Sequence, residues 1–385
     1  MGISPGFRDR LSGITCAERV LTEPADTWVY GYDNSRKHVP PDVVVFATSH
    51  REVQDIVRLC HEHAVPIVAR GRGTATTGAA IPVRGGVVLS LERMNRILKV
   101  DPANRVIVVE PGVTNQAVQE AVAPHGFFWP PDPTSAAYCT VGGNLAVNAA
   151  GPHAVKYGST RENTLGLRAV TGAGDDIHTG VYTTKGVVGY DLTRLLIGSE
   201  GTLAIITEAT LKLTPLPEAR RLMQAVYASV GQAAAAISRI MAQPATPCAL
   251  EFMDAAAIEM IRSYSQADLP QGAGALLLIE VDGPASILDN LATAIRVAAT
   301  DSGLIRFHEA RTKEESDALW TTRKALSPAL RTIAPNKLNE DVVVPVSRLP
   351  ELIAGLESLS REFGIPIVNF GHAGNGNIQD RKSVV

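Results

Sequence analysis

The chain has 385 residues, a length that favours two domains over a single core. Hydrophobic residues make up 45% of it and charged residues 19%, which is typical of a folded globular protein and excludes a disordered one. The formal charge of −3 offers no basic surface for nucleic acid, and the four scattered cysteines form neither a zinc ribbon nor a disulfide framework. Without an apolar N-terminal stretch or a transmembrane segment, we expect a cytoplasmic protein, with peripheral attachment to the inner membrane surface left open.

The first part of the chain predicts a compact βαβ block. Residues 43–47 are apolar and β-branched, as in a buried strand, and Ser49 with Glu52 forms the pattern of a capping box at the start of a helix. The next predicted strand, residues 66–69, leads directly into a glycine-rich loop at residues 70–78. Further strands are predicted at residues 87–91, 105–110, 165–172 and 201–213.

The composition changes after Pro215 and Pro217, which mark a predicted domain boundary. From about residue 220 to residue 370, strand-like runs alternate with amphipathic helices. This alternation predicts an α+β domain whose sheet carries helices on one face.

Three glycine loops are the strongest functional signal. Consecutive unhindered amides in residues 70–78 favour a concavity for phosphate oxygens, although the spacing differs from the G-x-G-x-x-G of nicotinamide-binding folds. Alone, this loop would more often be an ordinary turn than a ligand site. Similar loops at residues 142–144 and 198–201 favour one long ligand threaded between two subdomains over three structural turns.

The stretches VARGRGTATTGAAIP, PDPTSAAYCTVGGNLAVNAAGPHAVKYG and LLIGSEGTLAIITEATLKLTPLPE resemble the vanillyl-alcohol oxidase/p-cresol methylhydroxylase (PCMH) class of FAD proteins. Within that class they are most similar to the branch of D-lactate dehydrogenases, glycolate oxidase FAD subunits and D-2-hydroxyglutarate dehydrogenases. The resemblance spans residues 38–379. It implies an N-terminal segment (1–37), a PCMH-type FAD-binding domain of two α+β subdomains (38–217) and an α/β cap domain with an antiparallel sheet (218–379).

The resemblance implies three groups of FAD-binding residues. The pyrophosphate loop is assigned Arg70, Gly71, Arg72, Gly73, Thr74, Thr77 and Gly78. The flavin and its ribityl chain are assigned Pro131, Asp132, Thr134, Gly142, Gly143, Asn148 and Gly151, and the adenine side Glu200, Gly201 and Ile206. Some relatives tether the flavin through a histidine in the first loop; none stands here, so we expect non-covalent FAD.

The substrate of this branch is a 2-hydroxy acid, whose carboxylate needs a forked cation. Trp320-Thr-Thr-Arg323 matches a family W-x-x-R stretch in which the arginine holds that carboxylate. Lys337 is expected to assist, with a register that is ambiguous by a residue or two. Without the resemblance, Arg323 would more often be a solvated residue of an amphipathic helix.

Residues 371–378 resemble the family motif G-H-x-G-D/N-G-N-φ-H, in which two histidines and a later glutamate bind a divalent metal such as Zn, Mn or Fe. His372 matches the first ligand and Asn377 the family asparagine; the metal would lower the pKa of the substrate hydroxyl. A lone histidine on a glycine-rich turn is otherwise more often structural. His178 and His308 have no motif support, and we assign them no role.

The motif's second histidine is replaced by Gln379, and the chain ends at Val385, whereas members of the family continue for several dozen residues. We therefore expect a C-terminally truncated chain that is poorly folded and inactive as written. Residues 380–385 are predicted to be a non-native tail: the sequencing-adapter string GAT CGG AAG AGC GTC GTG translates to the same six residues, and its preceding A would turn a histidine codon into glutamine.

These observations predict an FAD-dependent dehydrogenase that oxidises D-lactate or glycolate by hydride transfer from C2 to flavin N5. Electrons would leave to a quinone, a cytochrome or an electron-transfer flavoprotein. Two alternatives stay open: D-2-hydroxyglutarate oxidation, and a non-catalytic FAD-binding subunit of a glycolate oxidase-like complex. The sequence leaves open whether the protein is a homodimer or part of an oxidase complex.

Overall fold

The computed structural model describes residues 3–264, 269–324, 326, 329 and 337–383, of which residues 264, 337–340 and 379–383 are described by their backbone. The chain divides into two compact units. Unit 1 comprises Met1–Gly151 and Tyr157–Leu216, and unit 2 comprises Pro152–Lys156 and Pro217–Val385. None of the helices in these ranges is long and apolar enough to cross a lipid bilayer.

Up to Leu216 the chain forms mixed helices and short strands. In chain order these are α1 (Pro5–Ile14), β1 (Val20–Leu21), α2 (Pro24–Thr27), β2 (Val43–Phe46), α3 (His50–Glu62), β3 (Ile67–Arg70), β4 (Val87–Ser90), β5 (Ile97–Asp101), β6 (Val106–Val109), α4 (Asn115–Val122), β7 (Phe127–Phe128), α5 (Val141–Ala146), α6 (Ala154–Tyr157), β8 (Thr164–Thr171), β9 (Asp176–Gly180), α7 (Leu192–Leu196), β10 (Ala204–Lys212) and β11 (Thr214–Pro215). A four-stranded sheet has the order β1-β2-β4-β3, a five-stranded sheet the order β5-β6-β10-β8-β9, and β11 pairs with β7.

The predicted βαβ block is confirmed, since β2, β4 and β3 are parallel and α3 connects β2 to β3. The predicted capping box forms only in half. Ser49 Oγ accepts a hydrogen bond from Glu52 N at 3.3 Å. The Glu52 carboxylate accepts instead from Thr48 N at 2.8 Å and pairs with Arg19 Nη1 at 2.7 Å, because a half-buried cation competes for it.

Unit 2 is built on a single seven-stranded sheet with the order β15-β12-β14-β13-β17-β18-β16, in which every described pairing is antiparallel. Its elements are β12 (Ala219–Tyr227), α8 (Val230–Met241), β13 (Ala249–Asp254), α9 (Ala255–Tyr264), β14 (Ala275–Gly283), α10 (Leu288–Ala299), β15 (Leu304–Glu309), α11 (Lys313–Lys324), β16 (Lys337–Val343), α12 (Leu349–Phe363), β17 (Ile367–His372) and β18 (Asn377–Ser383). Residues 380–383, predicted as a non-native tail, continue β18 opposite β17 and β16; their origin stays a prediction.

Helices cover both faces of this sheet, so the prediction of helices on one face is wrong. Leu277 and Ile279 of β14 belong to a buried cluster with α8, α10 and α12. Leu276 and Leu278, which point the other way, belong to a second cluster with α9 and part of α11. A strand that is apolar on both faces needs cover on both faces.

A buried carboxyl joins β13 to β17. Asp254 Oδ1 accepts from Ala257 N at 2.8 Å, at the start of α9, and Asp254 Oδ2 accepts from the N and Nδ2 of Asn369 at 2.9 and 2.8 Å. Burial is the main cause that raises the pKa of Asp254 from 3.8 to about 6, although these hydrogen bonds lower it in part.

The pKa of Asp254 leads to a prediction for Asp254→Asn. The unfolded carboxyl titrates near 3.8, so between about pH 4 and pH 6 the folded state binds its proton more tightly. The contribution of Asp254 to the free energy of unfolding is therefore greatest below this window and falls by up to about 3 kcal/mol as the pH rises through it. Because asparagine does not titrate, the stability difference between wild type and variant should shrink by that amount.

Urea unfolding between about pH 4.5 and pH 7.5 measures this difference. Asp317→Asn on the exposed surface of α11 is the control, since its side chain is 65% exposed. A difference between wild type and Asp254→Asn that stays constant across this pH range would contradict the prediction.

Candidate functional site

Two of the three glycine loops of unit 1 are joined by backbone hydrogen bonds. Gly198 N donates to Leu145 O, and Glu200 N donates to Ala146 O, both at 2.9 Å. The third loop is thereby attached to the end of α5, the helix that carries the second loop. Thr140 caps that helix by accepting a hydrogen bond from Gly143 N at 3.3 Å.

The first loop lies against the other two. A Cβ atom on Gly71 would lie 2.4 Å from Thr140 Oγ1, and a Cβ on Gly142 would lie 2.6 Å from Pro111 Cβ. A Cβ on Gly201, which has a φ of +78°, would lie 3.7 Å from Ala69 Cβ, just before the first loop. Three loops that are remote in sequence therefore share one region of unit 1, as the sequence predicted for a common ligand.

Hydrogen bonds from Asn34 and to Asp33 hold the first loop in place. Asn34 holds the loop by donating its N and Nδ2 to Ala75 O and Thr74 O at 3.0 and 3.1 Å, and Asp33 accepts from Gly78 N at 3.0 Å. Across the described part of the chain, the N–H groups of residues 71–77 meet no acceptor. Successive amides without an acceptor are the kind of donor that an anion-binding nest uses.

The sequence predicts that Arg70, the first residue of the loop, contacts the pyrophosphate, but its side chain is bonded elsewhere. Its buried guanidinium donates to Tyr32 O at 2.7 Å and to Val29 O at 3.4 Å, and burial lowers its pKa. These bonds hold residues 29–32 beside the loop. The exposed Arg72 is the cation of this loop that lies at the surface.

Two residues predicted to contact the flavin, Asn148 and Gly151, lie in the turn that follows α5. Asn148 has a φ of +50°, and its Oδ1 accepts from Ser159 Oγ at 2.8 Å and from Arg161 N at 3.0 Å. Gly151 leaves room for Asp132, because a Cβ there would lie 2.1 Å from Asp132 Oδ1. These two positions shape the turn that follows α5.

The remaining predicted FAD residues of unit 1 range from buried to exposed. Pro131 is buried and its carbonyl accepts from Asn115 Nδ2 at 2.8 Å. Thr134 and Glu200 are exposed, and Thr77 Oγ1 accepts from Ala79 N at 3.3 Å. The structure places Ile206 in the apolar core between the five-stranded sheet and its helices.

In unit 2 a buried glutamate joins two of the predicted catalytic residues. Arg323 donates from Nε and Nη2 to Glu251 Oε2 at 2.9 and 2.8 Å, and His372 Nδ1 lies 2.5 Å from Glu251 Oε1. Burial alone would raise the pKa of Glu251, but the positive charges of Arg323 and His372 and their hydrogen bonds lower it below its usual value. The carboxyl is therefore ionised at neutral pH.

The W-x-x-R spacing has a structural reason. Trp320 and Arg323 lie three residues apart on α11, so they share one helix face. Trp320 Nε1 donates to Glu280 Oε2 at 3.1 Å, while Arg323 holds Glu251 on the neighbouring strand. The guanidinium carbon of Arg323 also lies 4.8 Å from the centre of the Phe370 ring, which limits its movement.

Asn377 lies directly opposite His372 in the β17–β18 hairpin. Its Oδ1 is buried and accepts no hydrogen bond from the residues that the structure describes. Lys337 begins β16, whereas the partner of Asn377 is Val343 at the other end of that strand, so the two backbones lie roughly 20 Å apart. The side chain of Lys337 lies outside the described residues, and its predicted role stays a prediction.

Glu251 was missed by sequence reasoning. It lies within the run ALEFMD, where the signal available was an acidic residue, Glu251 or Asp254, among apolar ones. An acid in the middle of a buried strand must have a cationic partner elsewhere in the fold.

The described side chains do not supply a metal site at His372. Among the described residues, a different group has ligand atoms close enough to hold an ion. It consists of His153, Cys248 and Glu280. The side chain of Gln379, at the motif's second ligand position, lies outside them. We therefore derive no step through a metal at His372.

Comparison with known proteins identifies both halves of the chain. The family "FAD binding domain" matches residues 41–180, and the family "FAD linked oxidases, C-terminal domain" matches residues 216–379. Glycolate oxidase subunit GlcD of Bacillus subtilis is 38% identical over 377 residues, which cover 98% of this chain and 80% of that protein. D-lactate dehydrogenase of Anaerostipes hadrus is 34% identical over 345 residues, which cover 88% of this chain and 72% of that protein.

The solved structure of p-cresol methylhydroxylase with substrate bound matches the fold with a TM-score of 0.80, over 100% of this chain and 84% of that one, at 16% identity. The comparisons do not by themselves bear out the truncation expected from the sequence: the alignment with the Bacillus subtilis protein covers 98% of this chain and 80% of that protein. They do support the predicted cofactor and the predicted fold class. The chain has the fold of p-cresol methylhydroxylase, it belongs to the FAD-linked oxidoreductase family of glycolate oxidase subunit GlcD and D-lactate dehydrogenase, and its cofactor is FAD.

Proposed function

We propose that this oxidoreductase converts a small D-2-hydroxy acid, D-lactate or glycolate, into the corresponding 2-oxo acid. The observation that carries the proposal is the buried carboxylate of Glu251, which binds Arg323 through one oxygen and His372 through the other. Oxidation of a carbinol beside a carboxylate needs a forked cation and a proton acceptor at neighbouring positions. The Glu251 carboxylate orients both the Arg323 guanidinium and the His372 imidazole.

Arg323 is the residue we assign to the substrate carboxylate. A guanidinium has five N–H donors in a rigid plane, and two contacts to Glu251 leave donors for a second carboxylate. The Phe370 ring and the Glu251 carboxylate fix that plane before substrate arrives. Binding then requires little further ordering of the side chain.

His372 is the residue we assign to the hydroxyl proton. Because Nδ1 is bonded to the ionised Glu251, the ring is oriented and Nε2 is the atom that accepts the proton. Asn377 lies directly opposite His372 in the β17–β18 hairpin, and its role in the site stays a prediction. When bound, FAD would supply the acceptor for the hydride that leaves C2, while His372 holds the hydroxyl proton.

For the cofactor, we propose that the amides of residues 71–77 bind the pyrophosphate, with Arg72 adding positive charge. The loops at residues 142–151 and 198–201 would bind the flavin and adenine sides. Electron transfer to a quinone, a cytochrome or an electron-transfer flavoprotein stays a prediction.

A second candidate is a non-catalytic FAD-binding subunit of a larger oxidase. Gln379 favours it, because the family motif has a histidine there. The relative from Bacillus subtilis is itself named a subunit of glycolate oxidase. D-2-hydroxyglutarate is a further substrate candidate that would need a second cation for its distal carboxylate.

Flavin reduction distinguishes these candidates. We expect purified full-length protein to be yellow, and to be bleached under anaerobic conditions by D-lactate or glycolate, with L-lactate as the control. Bleaching by D-2-hydroxyglutarate alone would change the substrate assignment. Yellow protein that no 2-hydroxy acid bleaches would contradict the dehydrogenase and support the subunit.

The variant Arg323→Lys tests the carboxylate site. Lysine keeps the positive charge near Glu251 but cannot bind two carboxylates with a rigid fork. We expect kcat/KM for the hydroxy acid to fall by about 100-fold, with the loss mainly in KM because ground-state binding is weakened.

Arg348→Lys, the same substitution in an exposed pair with Glu351, is the matched control and should leave the kinetics unchanged. The FAD content of both variants shows whether they are folded. Arg323→Lys protein with full FAD content and wild-type KM would refute the assignment.

The variant Gly71→Ala tests the FAD nest. Its Cβ would lie 2.4 Å from Thr140 Oγ1, so the first loop would be pushed away from α5. We expect the Kd for FAD to rise at least about tenfold, which corresponds to about 1.4 kcal/mol. Gly172→Ala in the same unit is the control, since no atom lies within 4 Å of its Cβ. Equal FAD affinity in the two variants, measured by flavin fluorescence, would count against the nest.

A further inference from the structure

Three metal-binding side chains of unit 2 lie together outside the proposed catalytic residues. His153 belongs to the short segment Pro152–Lys156, Cys248 immediately precedes β13, and Glu280 lies in β14. Their ligand atoms all lie within 4.8 Å of one another. Nothing in the sequence motifs or in the comparisons assigns these three residues a common role.

The donor set is one that zinc prefers. A sulfur, an imidazole nitrogen and a carboxylate oxygen are the ligand types found in zinc sites, with bonds of about 2.0–2.3 Å. Tetrahedral bonds of that length place ligand atoms about 3.5 Å apart. His153 Nε2 lies 3.8 Å from Glu280 Oε2, which is close to this value, so the widest gap in the group has to close by about 1 Å.

Two of the ligands are already fixed by the fold. Cys248 N donates to Glu280 O at 2.7 Å, so the two backbones are bonded side by side. Trp320 Nε1 donates to Glu280 Oε2 at 3.1 Å, and Arg220 Nη1 lies 3.6 Å from Glu280 Oε1. Outer contacts of this kind orient a ligating carboxylate.

Burial and charge also favour a cation. Cys248 is fully buried and Glu280 is 5% exposed. Burial raises the pKa of the Cys248 thiol to about 12, so the thiolate needs a strong positive charge to form. A divalent ion balances one thiolate and one carboxylate, while the imidazole binds in its neutral form.

We propose that His153, Cys248 and Glu280 bind one zinc ion, with water in the fourth position. The ion would connect the segment Pro152–Lys156 to β13 and β14. Lys156 of the same segment already forms a salt bridge with Asp282 two residues beyond Glu280, so the metal would be a second attachment. The site shares no residue with Glu251, Arg323 and His372, and it does not depend on the proposed hydroxy acid.

Cobalt substitution of the full-length, FAD-bound protein tests the site. After removal of metal with a chelator, we expect one equivalent of Co²⁺ to give a thiolate-to-cobalt charge-transfer band in the near-ultraviolet difference spectrum. Intense d–d bands of four-coordinate cobalt should appear at red wavelengths, beyond the absorption of oxidised flavin. Sulfur ligation separates this site from one at His372, where no cysteine has been assigned.

The variants Cys248→Ser and His153→Asn should weaken cobalt binding by at least about 100-fold. Cys60→Ser is the matched control, because Cys60 is a buried thiol of unit 1 whose pKa burial also raises to about 12. Bands that are absent from wild type, or that survive in Cys248→Ser, overturn the proposal and leave a hydrogen bond between Cys248 and His153.

Should Cys248→Ser not fold, X-ray absorption of the zinc-loaded wild type decides the question. A sulfur shell at about 2.3 Å supports the site. A shell of nitrogen and oxygen alone overturns it.

Discussion

The buried carboxylate of Glu251 is the constraint on which the proposed active site depends. An ionised carboxylate in an apolar strand is strongly destabilising unless it is paired and hydrogen-bonded. Glu251 meets this requirement with Arg323 from α11 and His372 from β17, which lie 72 and 121 residues away in the chain. In this fold the partners that satisfy Glu251 are a cation and an imidazole, the two groups that we assign to the substrate.

The need to pair buried acids also explains why α11 covers this face of the sheet. Glu251 and Glu280 lie on neighbouring antiparallel strands and on the same face. The helix α11 covers both, with Trp320 on Glu280 and Arg323 on Glu251. Packing of α11 against the sheet and pairing of the two acids therefore depend on each other. If α11 moved away, Glu251 would lose Arg323 and Glu280 would lose Trp320.

Local features of this fold were predictable from the sequence, and tertiary ones were not. The Ser49 cap, the β2–α3–β3 block and the convergence of the glycine loops follow from residues that are close in the chain or have a specific composition. β5 was missed because its first three residues are exposed and show no buried run. Glu251 and the second helical layer depend on contacts between residues far apart, which a single sequence does not display.

Arg70 shows why a residue's place in a motif does not fix its role. It directly precedes the phosphate loop, yet its guanidinium turns to the carbonyls of Val29 and Tyr32 because the end of β3 is buried. A buried cation satisfies the nearest fixed acceptors, and here these belong to the backbone.

Glu251 and Asp254, two buried acids of β13, have opposite pKa shifts. Both are buried and both accept several hydrogen bonds, but the pKa of Glu251 is lowered whereas burial raises that of Asp254. The difference is charge: Glu251 faces Arg323 and His372, while the hydrogen bonds to Asp254 come from the neutral amides of Ala257 and Asn369. Neutral donors suffice to connect α9 and β17 to β13. Only an ionised carboxylate can hold a guanidinium in place and stabilise an imidazolium, so of these two acids Glu251 is the one suited to support hydride removal from a carbinol.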